Sequence, residues 1–289
     1  MARIGIVGAE GFIGSALSVG LGKAGHEIYG FSRVNKITDP GEMAQVRENL
    51  DFIIWSASLT NPGIAEKRPD LVKLEHEEWK AFLRTVSEQT FPRPRVIFLS
   101  SGGCVYSGKG PVFFENDAAK GNNSYGKLKS EMEYELIQSG ISYTILRVAN
   151  IYGPGQPIGR GQGVIAEWVE LARQLKPINV YGELGTQRDF LFLSDFVSAV
   201  QKVIGLKGNE ILNIGSGQGS TLKRVLDALE SGFSNSLTIS HHSARTFDRS
   251  SYWLDINLAK EKLEWDPVVA LESGIRKCLY PEGSVNDLY

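Results

Sequence analysis

The sequence has 289 residues, of which 42% are hydrophobic, and a formal net charge of -2 at pH 7. This length is enough to bury one large core or two closely joined ones. The nearly balanced charge excludes the strongly basic surface of a nucleic-acid-binding domain, and no run of about eighteen apolar residues is present to cross a membrane. The amino terminus has the pattern of a strand and not of a signal peptide. We therefore expect a cytoplasmic protein whose partners include neither nucleic acid nor a membrane.

Short apolar runs alternate with longer helical patterns through the first half of the chain. Because buried strands are short and continuously apolar, we predict strands over 4–7, 28–31, 52–55, 96–99 and 143–146. Helical patterns lie between them, over 12–23, 41–49, 69–89 and 125–139. This alternation predicts an α/β fold of the Rossmann type, with a doubly wound parallel sheet and its ligand site at the carboxyl ends of the strands.

A glycine-rich turn joins the first predicted strand to the first predicted helix, with Gly8, Gly11 and Gly14 at spacings of three and three. In a dinucleotide site the first glycine permits the tight turn, the second admits the pyrophosphate, and the third lets the helix pack on the sheet. Phe12 and Ile13 then lie in the first helical turn, whose positive end faces phosphate. We interpret the turn as a dinucleotide site; the alternative is a glycine turn without a ligand.

The end of the second predicted strand indicates which dinucleotide is bound. An acidic residue at this position would accept hydrogen bonds from the adenosine ribose of NAD, but here Ser32 and Arg33 follow the strand. A hydroxyl and a guanidinium suit a 2'-phosphate, so we predict NADP. The alternative is that Arg33 is an exposed cation stacked on adenine. Ser56, at the end of the third strand, is a further candidate contact with the cofactor.

Tyr125 and Lys129 are four residues apart in the predicted helix over 125–139, so both side chains project from the same face. An ammonium beside a phenol stabilises the phenolate and is expected to lower the tyrosine pKa from about 10. Such a tyrosine can move a proton while a nicotinamide carries the hydride. A surface Tyr and Lys on a helix is the alternative interpretation of this short pattern.

Together with these residues, motifs in the later part of the chain resemble the extended short-chain dehydrogenase/reductase family, in particular its nucleotide-sugar epimerases, dehydratases and 4-keto reductases. The motifs lie at 99–106, 125–129, 146–155, 187–190 and 213–217, and with the glycine turn they span nearly the whole sequence. The resemblance implies a dinucleotide-binding domain over 1–150, completed by segments near 186–215. It also implies a smaller C-terminal lobe over 151–289 that binds a nucleotide sugar.

By this resemblance Tyr125 is the catalytic acid/base, and Lys129 binds the nicotinamide ribose and lowers the tyrosine pKa. The family's third catalytic group is a hydroxyl that holds the substrate oxygen, but its position is occupied here by Gly102. Ser101 is the first candidate for this role, with Ser100 and Cys104 behind it.

Substrate contacts implied by the resemblance come largely from the second half of the chain. Asn150 would meet the nucleotide sugar, and Arg188 and Arg245 would clamp its diphosphate, a task that suits planar, permanently charged guanidinium groups. An ion pair of Arg188 with Asp189 or Asp195 is the alternative for that residue. Cys104 stands where some relatives carry a reactive cysteine, although a small thiol in the core is the other interpretation.

Two reactions remain open at the sequence level. Dehydration is not expected, because Gly103 and Cys104 replace the acidic pair of the dehydratases. Ser32, Arg33 and the short path over 31–51 favour a 4-keto reductase that uses NADPH. In contrast, the sequences of two segments, 100–106 and 159–164, resemble those of 4-epimerases, which retain NAD. A non-catalytic NADP-binding relative is the third hypothesis.

Two further expectations concern metals and assembly. Two cysteines and four scattered histidines do not form a disulfide framework or the usual zinc-ligand spacing, so we expect no metal. Relatives commonly dimerise through two long helices, which makes a homodimer through 69–89 and 125–139 possible. The first of these helices is rather polar for a buried seam; its polar residues are Glu75, Glu77, Glu78 and Lys80.

Overall fold

A computed structural model describes residues 1–89, 92–159, 161–233, 237–245, 249 and 251–281. Within the predicted lobe, residues 160, 234–236, 246–248, 250 and 282–289 lie outside the described residues. None of the helices in these described ranges combines the length and apolar character that a membrane span needs. Across the same ranges no three His, Cys, Asp or Glu side chains gather in a way that could hold a metal ion.

The strands in chain order are β1 Arg3–Val7, β2 Glu27–Phe31, β3 Phe52–Trp55, β4 Arg95–Ser101, β5 Val112–Phe113, β6 Tyr143–Val148, β7 Asn150–Tyr152, β8 Ile178–Tyr181, β9 Gln187–Arg188, β10 Phe190–Phe192, β11 Glu210–Ile214, β12 Ser220–Thr221, β13 Ile239–His242 and β14 Trp253–Leu254. The helices are α1 Phe12–Lys23, α2 Glu42–Glu48, α3 Pro62–Lys67, α4 Pro69–Ser87, α5 Ser124–Gln138, α6 Val164–Arg173, α7 Leu193–Val203, α8 Leu222–Glu230, α9 Asn257–Leu263 and α10 Leu271–Leu279.

A parallel sheet of six strands in the order β11, β6, β4, β3, β1, β2 forms the centre of the described chain. Its strands are apolar on both faces because helices cover each side, and residues such as Ile4, Ile54 and Ile97 are fully buried. The predicted α/β, doubly wound parallel fold is confirmed. Strand β2 lies at one edge, since the short path over 32–51 adds only helix α2.

The boundaries agree with the predicted elements to within a few residues, with two differences that matter for the site. Strand β4 continues to Ser101, so Ser100 and Ser101 lie at its carboxyl end. Strand β11 was not predicted as a strand; its short segment gains its conformation by pairing with β6 along Glu210–Ile214.

Pairs of short strands lie beside the central sheet, and all of these strands except β5 come from the second half of the chain: β7 with β10, β8 with β13, β9 with β12, and β5 with β14. A separate apolar cluster forms here, in which Trp168, Val180 and Ile275 are buried. Strand β14 pairs with β5, and this pairing brings the 252–254 segment against the residues that follow β4.

Candidate active site

The glycine turn lies between β1 and α1 and has the shape of a cradle. Gly8 has φ +89, a conformation that favours glycine, and its amide donates to the Phe31 carbonyl at 2.9 Å. A Cβ on Gly14 would lie 2.0 Å from the Gly8 carbonyl oxygen, so α1 can approach the turn only with glycine there. Helix α1 begins at Phe12 without a side-chain cap, and the amides of its first turn, including Ile13, have no intrahelical acceptors. These features fit a dinucleotide pyrophosphate.

The predicted cofactor residues at the ends of β2 and β3 lie next to this turn. Ser32 follows β2 directly, and its hydroxyl accepts from the Val34 amide at 3.3 Å, while Arg33 is exposed. Ser56 follows β3; its amide and its hydroxyl both donate to the Val7 carbonyl, at 3.0 and 2.8 Å. The hydroxyl of Ser56 therefore fastens the strand ends together beside Gly8. Neither residue 32 nor residue 33 is a carboxylate, so no negative side chain at these two positions would repel an additional phosphate.

Helix α5 begins at the carboxyl end of β4. Asn123 caps it, and the side chain of this residue accepts from the Gly126 amide at 2.8 Å. Gly126 packs against the Cys104 carbonyl, which a Cβ would meet at 2.1 Å. The amide of Asn122 donates to that same carbonyl at 3.0 Å. These contacts fix the first turn of α5, and with it Tyr125, beside the segment that follows Ser101.

Tyr125 and Lys129 lie on the same face of α5, as predicted. The Lys129 ammonium is 5.4 Å from the centroid of the Tyr125 ring and 5.4 Å from that of Phe98 on β4. Lys129 is only 2% exposed, so its cation is buried between the helix and the sheet. A buried ammonium needs a counter-charge.

That counter-charge is Glu75 on helix α4, whose carboxylate accepts from the Lys129 Nζ at 3.0 Å. Glu75 is 2% exposed. Glu75 was counted above among the residues that make this helix polar for a dimer interface. It lies instead on the inward face of α4, together with Trp79, Phe82 and Val86. Glu75 was not predicted as a site residue, although its place four residues before Trp79 on the apolar stripe is a sequence signal for a buried acid.

The net direction of the Tyr125 pKa differs from the sequence prediction. Burial raises the pKa of this phenol, and Lys129 lowers it as expected, but the carboxylate of Glu75 and the thiol of Cys104 raise it further. The pKa of Tyr125 therefore lies above its ordinary value of 10.0. The prediction of a lowered pKa is wrong because it did not include the burial of the phenol, which is the largest effect, or the Glu75 carboxylate, which offsets part of the effect of Lys129.

The hydroxyl candidates at the end of β4 are separated by the structure. Ser100 is buried and donates to the carboxylate of Glu133 on α5, so its hydroxyl is used within the fold. Ser101 is half-buried at the last position of the strand and stays the candidate. A Cβ on Gly102 would lie 2.6 Å from a methyl carbon of Leu254, so a larger residue at this position would require that side chain to move.

Cys104 and Tyr252 enclose the same region from two sides. The Asn123 amide group contacts the Cys104 sulfur at 3.7 Å, and this cysteine is half-buried. A Cβ on Gly103 would meet the Tyr252 hydroxyl at 2.4 Å, so this tyrosine packs directly over the 102–104 turn. Cys104 and Tyr125 are close enough for the thiol to raise the tyrosine pKa. The predicted substrate residue Cys104 is thus brought next to the predicted acid/base.

Asn150 lies at the start of β7 with its side-chain amide already bonded within the protein. Its Nδ2 donates to the Asp189 carbonyl at 2.8 Å and to the Tyr252 hydroxyl at 2.7 Å. The carboxylate of Asp189 accepts from the Ser216 amide and hydroxyl, both at 2.7 Å, and from the Leu254 amide at 3.1 Å. Burial raises the Asp189 pKa to about 6. Asp189 therefore joins three segments around the site.

The predicted arginines contact different segments. Arg188 lies over the Tyr252 ring, 5.8 Å from its centroid, and donates to the Arg249 carbonyl at 2.6 Å. Asp189 faces Ser216 and Leu254, and Asp195 accepts from the amides of 268 and 269, so these carboxylates are directed elsewhere. Arg245 lies over the Tyr181 ring and donates to the Gly161 carbonyl at 3.1 Å.

Arg249 was not predicted, and it connects the two halves of the site. Its Nη1 donates to the Gly108 carbonyl at 2.7 Å, its Nη2 donates to the Tyr106 carbonyl, and its guanidinium lies over the Phe113 ring. The nearness of Arg188 helps to lower its pKa, after the larger effect of burial. No sequence signal separates this arginine from a surface one.

Comparisons with known proteins agree with this geometry. The model of the NAD dependent epimerase/dehydratase family matches residues 4–215. The chain is 31% identical to the dTDP-4-dehydro-6-deoxyglucose reductase of Escherichia coli over 239 residues, which cover 81% of this chain and 75% of that protein. It is 25% identical to the UDP-glucose 4-epimerase of Mycolicibacterium smegmatis over 94% of this chain and 96% of that protein.

Solved structures show the same architecture. The UDP-glucose 4-epimerase of Thermotoga maritima, solved with UDP-glucose, superposes with a TM-score of 0.83 at 25% identity, over 96% of this chain and 97% of that one. The UDP-glucose 4-epimerase of Thermus thermophilus, in complex with NAD, has the same fold with a TM-score of 0.84 at 21% identity, over 96% and 97%. The predicted resemblance and the prediction of an NAD(P)-dependent enzyme of the nucleotide-sugar reductase/epimerase type are confirmed, and the chain belongs to the NAD dependent epimerase/dehydratase family.

Proposed function

We propose that this protein reduces the 4-keto group of a nucleotide-activated sugar with NADPH. The observation that carries the proposal is the Lys129 ammonium 5.4 Å from the centroid of the Tyr125 ring, together with Ser32 and Arg33 in place of an acid after β2. The relative from Escherichia coli, a dTDP-4-dehydro-6-deoxyglucose reductase, supports the same reaction and suggests this sugar as the substrate.

The glycine turn and the strand ends would hold the cofactor. Gly8, Gly11 and Gly14 let the backbone approach the pyrophosphate, with the amides of Phe12 and Ile13 at the positive end of α1. Ser32 and Arg33 would bind the 2'-phosphate, with Ser56 lining the site and Lys129 meeting the nicotinamide ribose. When bound there, the reduced nicotinamide supplies a hydride.

Tyr125 would supply the proton that the reaction needs. As the C4 carbonyl carbon of the sugar accepts hydride, its oxygen takes the phenolic proton, and the resulting phenolate is stabilised by the Lys129 ammonium until solvent returns a proton. A phenol with a raised pKa stays protonated through the neutral range, which suits a proton donor. Ser101 would hold the same oxygen by a hydrogen bond.

Substrate recognition would be divided between the two halves of the chain. Residues 1–150, completed by segments near 186–215, would hold the dinucleotide, and residues 151–289 the nucleotide sugar. Arg188 and Arg245 would bind the diphosphate, while Asn150 and Cys104 would contact the sugar and its linkage. The Asn150 amide donates within the protein, so its carbonyl oxygen is the atom left for this contact.

The second candidate is a nucleotide-sugar 4-epimerase with retained NAD. It is supported by the likeness to the UDP-glucose 4-epimerases of Mycolicibacterium smegmatis and Thermotoga maritima. The third candidate, a non-catalytic NADP-binding relative, predicts that Tyr125→Phe leaves the biological effect intact. Loss of turnover in that variant with unchanged cofactor binding would exclude it.

We also propose that the protein works in the cytoplasm as a homodimer. Exposed apolar side chains lie on the outer faces of α4 and α5, where Leu74, Tyr134 and Ile137 are 44%, 64% and 37% exposed. Two such helices from each copy would bury these side chains in a four-helix seam.

The cofactor that accompanies the purified protein tests the proposal against its second candidate. We would denature the protein, identify any released nucleotide, and titrate the nucleotide-free protein with NADPH and NADH. A site that is purified empty and binds NADPH more tightly supports the reductase. Stoichiometric NAD that leaves only on denaturation supports the epimerase and contradicts the assignment of Ser32 and Arg33.

A further inference from the structure

Glu75 is held by more hydrogen bonds than a salt bridge alone requires. One carboxylate oxygen accepts from the Ser58 hydroxyl at 2.7 Å and from the Lys129 ammonium at 3.0 Å. The other accepts from the Leu59 amide at 3.0 Å and from the Thr60 amide and hydroxyl at 2.9 and 2.8 Å. This buried carboxylate is therefore satisfied at both oxygens and fixed between the loop after β3 and helix α5.

Both charges of the pair are maintained despite burial. Burial alone would raise the Glu75 pKa, but Lys129 and the hydroxyls of Ser58 and Thr60 outweigh it and lower that pKa. Burial alone would lower the Lys129 pKa, but Glu75 and then Tyr125 outweigh it and raise that pKa. The titratable groups that face this pair are Tyr125 on α5 and, beyond it, Cys104 after β4.

Ser58 ties the carboxylate to the loop after β3. Its hydroxyl lies 2.7 Å from a Glu75 carboxylate oxygen and 2.8 Å from the Thr60 carbonyl oxygen, and both are acceptors for its single proton. Burial raises the pKa of Tyr125 and Ser58 acts in the opposite direction, so this hydroxyl lies near the phenol as well. The loop that holds Glu75 therefore adjoins Tyr125.

We propose that Glu75 is a positioning residue of the Tyr125 site, which keeps Lys129 charged and holds it against the phenol. The inference rests on the proposed function, because it takes Tyr125 as the group that moves the proton. Without the carboxylate, the ammonium would be buried with no counter-charge and would lose its proton at a lower pH. The phenolate would then lack its cation.

The direct test is Glu75→Gln, which preserves size and removes the charge. In protein labelled with ¹³C at the lysine ε-carbons, we would follow the Lys129 signal, identified by its loss in Lys129→Met, through a pH titration. We expect the midpoint for Lys129 to fall by more than about one pH unit in the variant. The kcat for NADPH-dependent reduction should fall above the lowered midpoint, by about tenfold at one pH unit above it, and recover below it, where Lys129 is protonated again.

Glu133→Gln is the matched control. Glu133 is also a buried carboxylate paired with a cation beside a tyrosine, but its contacts are Ser100 and Arg147. This variant should be less stable, yet it should keep the wild-type midpoint for Lys129 and the wild-type pH profile of kcat. A pH profile altered equally in both variants would mean that any buried charge in this core has the same effect, and would overturn the inference.

Three further outcomes are decisive. An unchanged Lys129 midpoint in Glu75→Gln, with an unchanged pH profile, contradicts the proposal. If that variant does not fold, Glu75→Asp retains the charge but withdraws it from Lys129, and the proposal requires a smaller shift in the same direction; a wild-type titration then overturns it. If the wild-type protein itself turns over no 4-keto sugar, the proposed function fails, whereas the Lys129 titration still decides the role of Glu75.

Discussion

Helix α5 contributes one member to each of two buried ion pairs, which lie one helical turn apart and have different surroundings. Lys129 pairs with Glu75 at 3.0 Å, and Glu133 pairs with Arg147 on β6 at 2.7 Å. In both, the cation lies over a tyrosine ring, with Lys129 5.4 Å from the centroid of Tyr125 and Arg147 4.9 Å from that of Tyr106. We call them the site pair (Glu75 and Lys129) and the frame pair (Glu133 and Arg147).

The surroundings of the two tyrosines distinguish the pairs. The Tyr106 hydroxyl donates to Asn213 at 2.6 Å and accepts from Arg147 at 3.2 Å, so it is enclosed and bonded on both sides. Burial raises the Tyr106 pKa to about 12. Tyr125 is only half-buried, and Gly126 beside it packs against the segment that follows β4. A tyrosine beside a buried ion pair therefore occurs twice on this face of α5. The enclosed Tyr106 stabilises the fold, whereas we propose a catalytic role for the less buried Tyr125.

The largest expected effect compares the two tyrosines directly. Tyr125→Phe should lower kcat by about 10²- to 10⁴-fold, because it removes the proton donor, with little change in the free energy of unfolding. Tyr106→Phe should leave kcat per folded molecule near wild type and lose about 1 to 2 kcal/mol of stability, because Asn213 and Arg147 lose a partner. Steady-state kinetics and urea unfolding of both variants measure this, and the comparison breaks if Tyr106→Phe loses activity as Tyr125→Phe does.

The frame pair should control stability more than any other side-chain pair on α5. Arg147→Met leaves the buried Glu133 carboxylate without its cation, so we expect the free energy of unfolding to fall by about 3 to 5 kcal/mol. Chemical denaturation at pH 7 would measure the loss. The companion Arg147→Met/Glu133→Leu should recover part of it, since no uncompensated charge is left. A loss below about 1 kcal/mol in the single variant would show that the frame pair does not support the fold.

Asp189 is a buried carboxylate for which the described residues show no ion pair, so we expect the free energy of unfolding to depend on pH through this group. Asp189 is fully buried, and its pKa is raised from 3.8 to about 6, so the folded state favours its protonated form. Its contribution to stability is therefore present below pH 3.8 and is lost as the pH rises towards about 6. Relative to Asp189→Asn, the wild-type protein should lose about 3 kcal/mol between pH 4 and pH 7. A constant difference between the two unfolding curves would contradict this.

The smallest expected effect concerns how α5 is held at its start. Asn123→Ala removes the cap that accepts from the Gly126 amide and should cost about 1 kcal/mol. Thr221 caps α8 in the same way, through the Arg224 amide, and Thr221→Ala is the matched control on a helix that is not near Tyr125. Thermal unfolding should move by a similar amount in both variants, and only Asn123→Ala should change kcat measurably. An equal kcat in the two variants would mean that the Asn123 cap does not affect the position of Tyr125 enough to change catalysis.

Local sequence patterns were sufficient to predict most of the central sheet and its first helices. The glycine turn, the first five strands of the sheet and the helical spacing of Tyr125 and Lys129 follow from periodicity and from residue types within short windows. Strand β11 was missed as a strand because its extended conformation depends on β6, more than sixty residues earlier in the chain. Propensity alone does not specify such a strand.

The site depended on contacts between distant residues. On an isolated helix, Lys129 and Glu133 would pair with each other at i and i+4, but each finds its partner on another element. Leu254 packs against Gly102 from about 150 residues away in sequence, so no local motif contains this contact. Likewise, the raised pKa of Tyr125 follows from burial and from Glu75, neither of which the Tyr125 motif contains.

The reaction itself is the most direct test of the account. We would mix the purified protein with dTDP-4-dehydro-6-deoxyglucose and NADPH, follow absorbance at 340 nm, and identify the sugar product. The account predicts that one NADPH is consumed for each 4-keto group reduced, and that Tyr125→Phe abolishes this consumption. Conversion of UDP-glucose to its 4-epimer, with retained NAD and no consumption of NADPH, would contradict it.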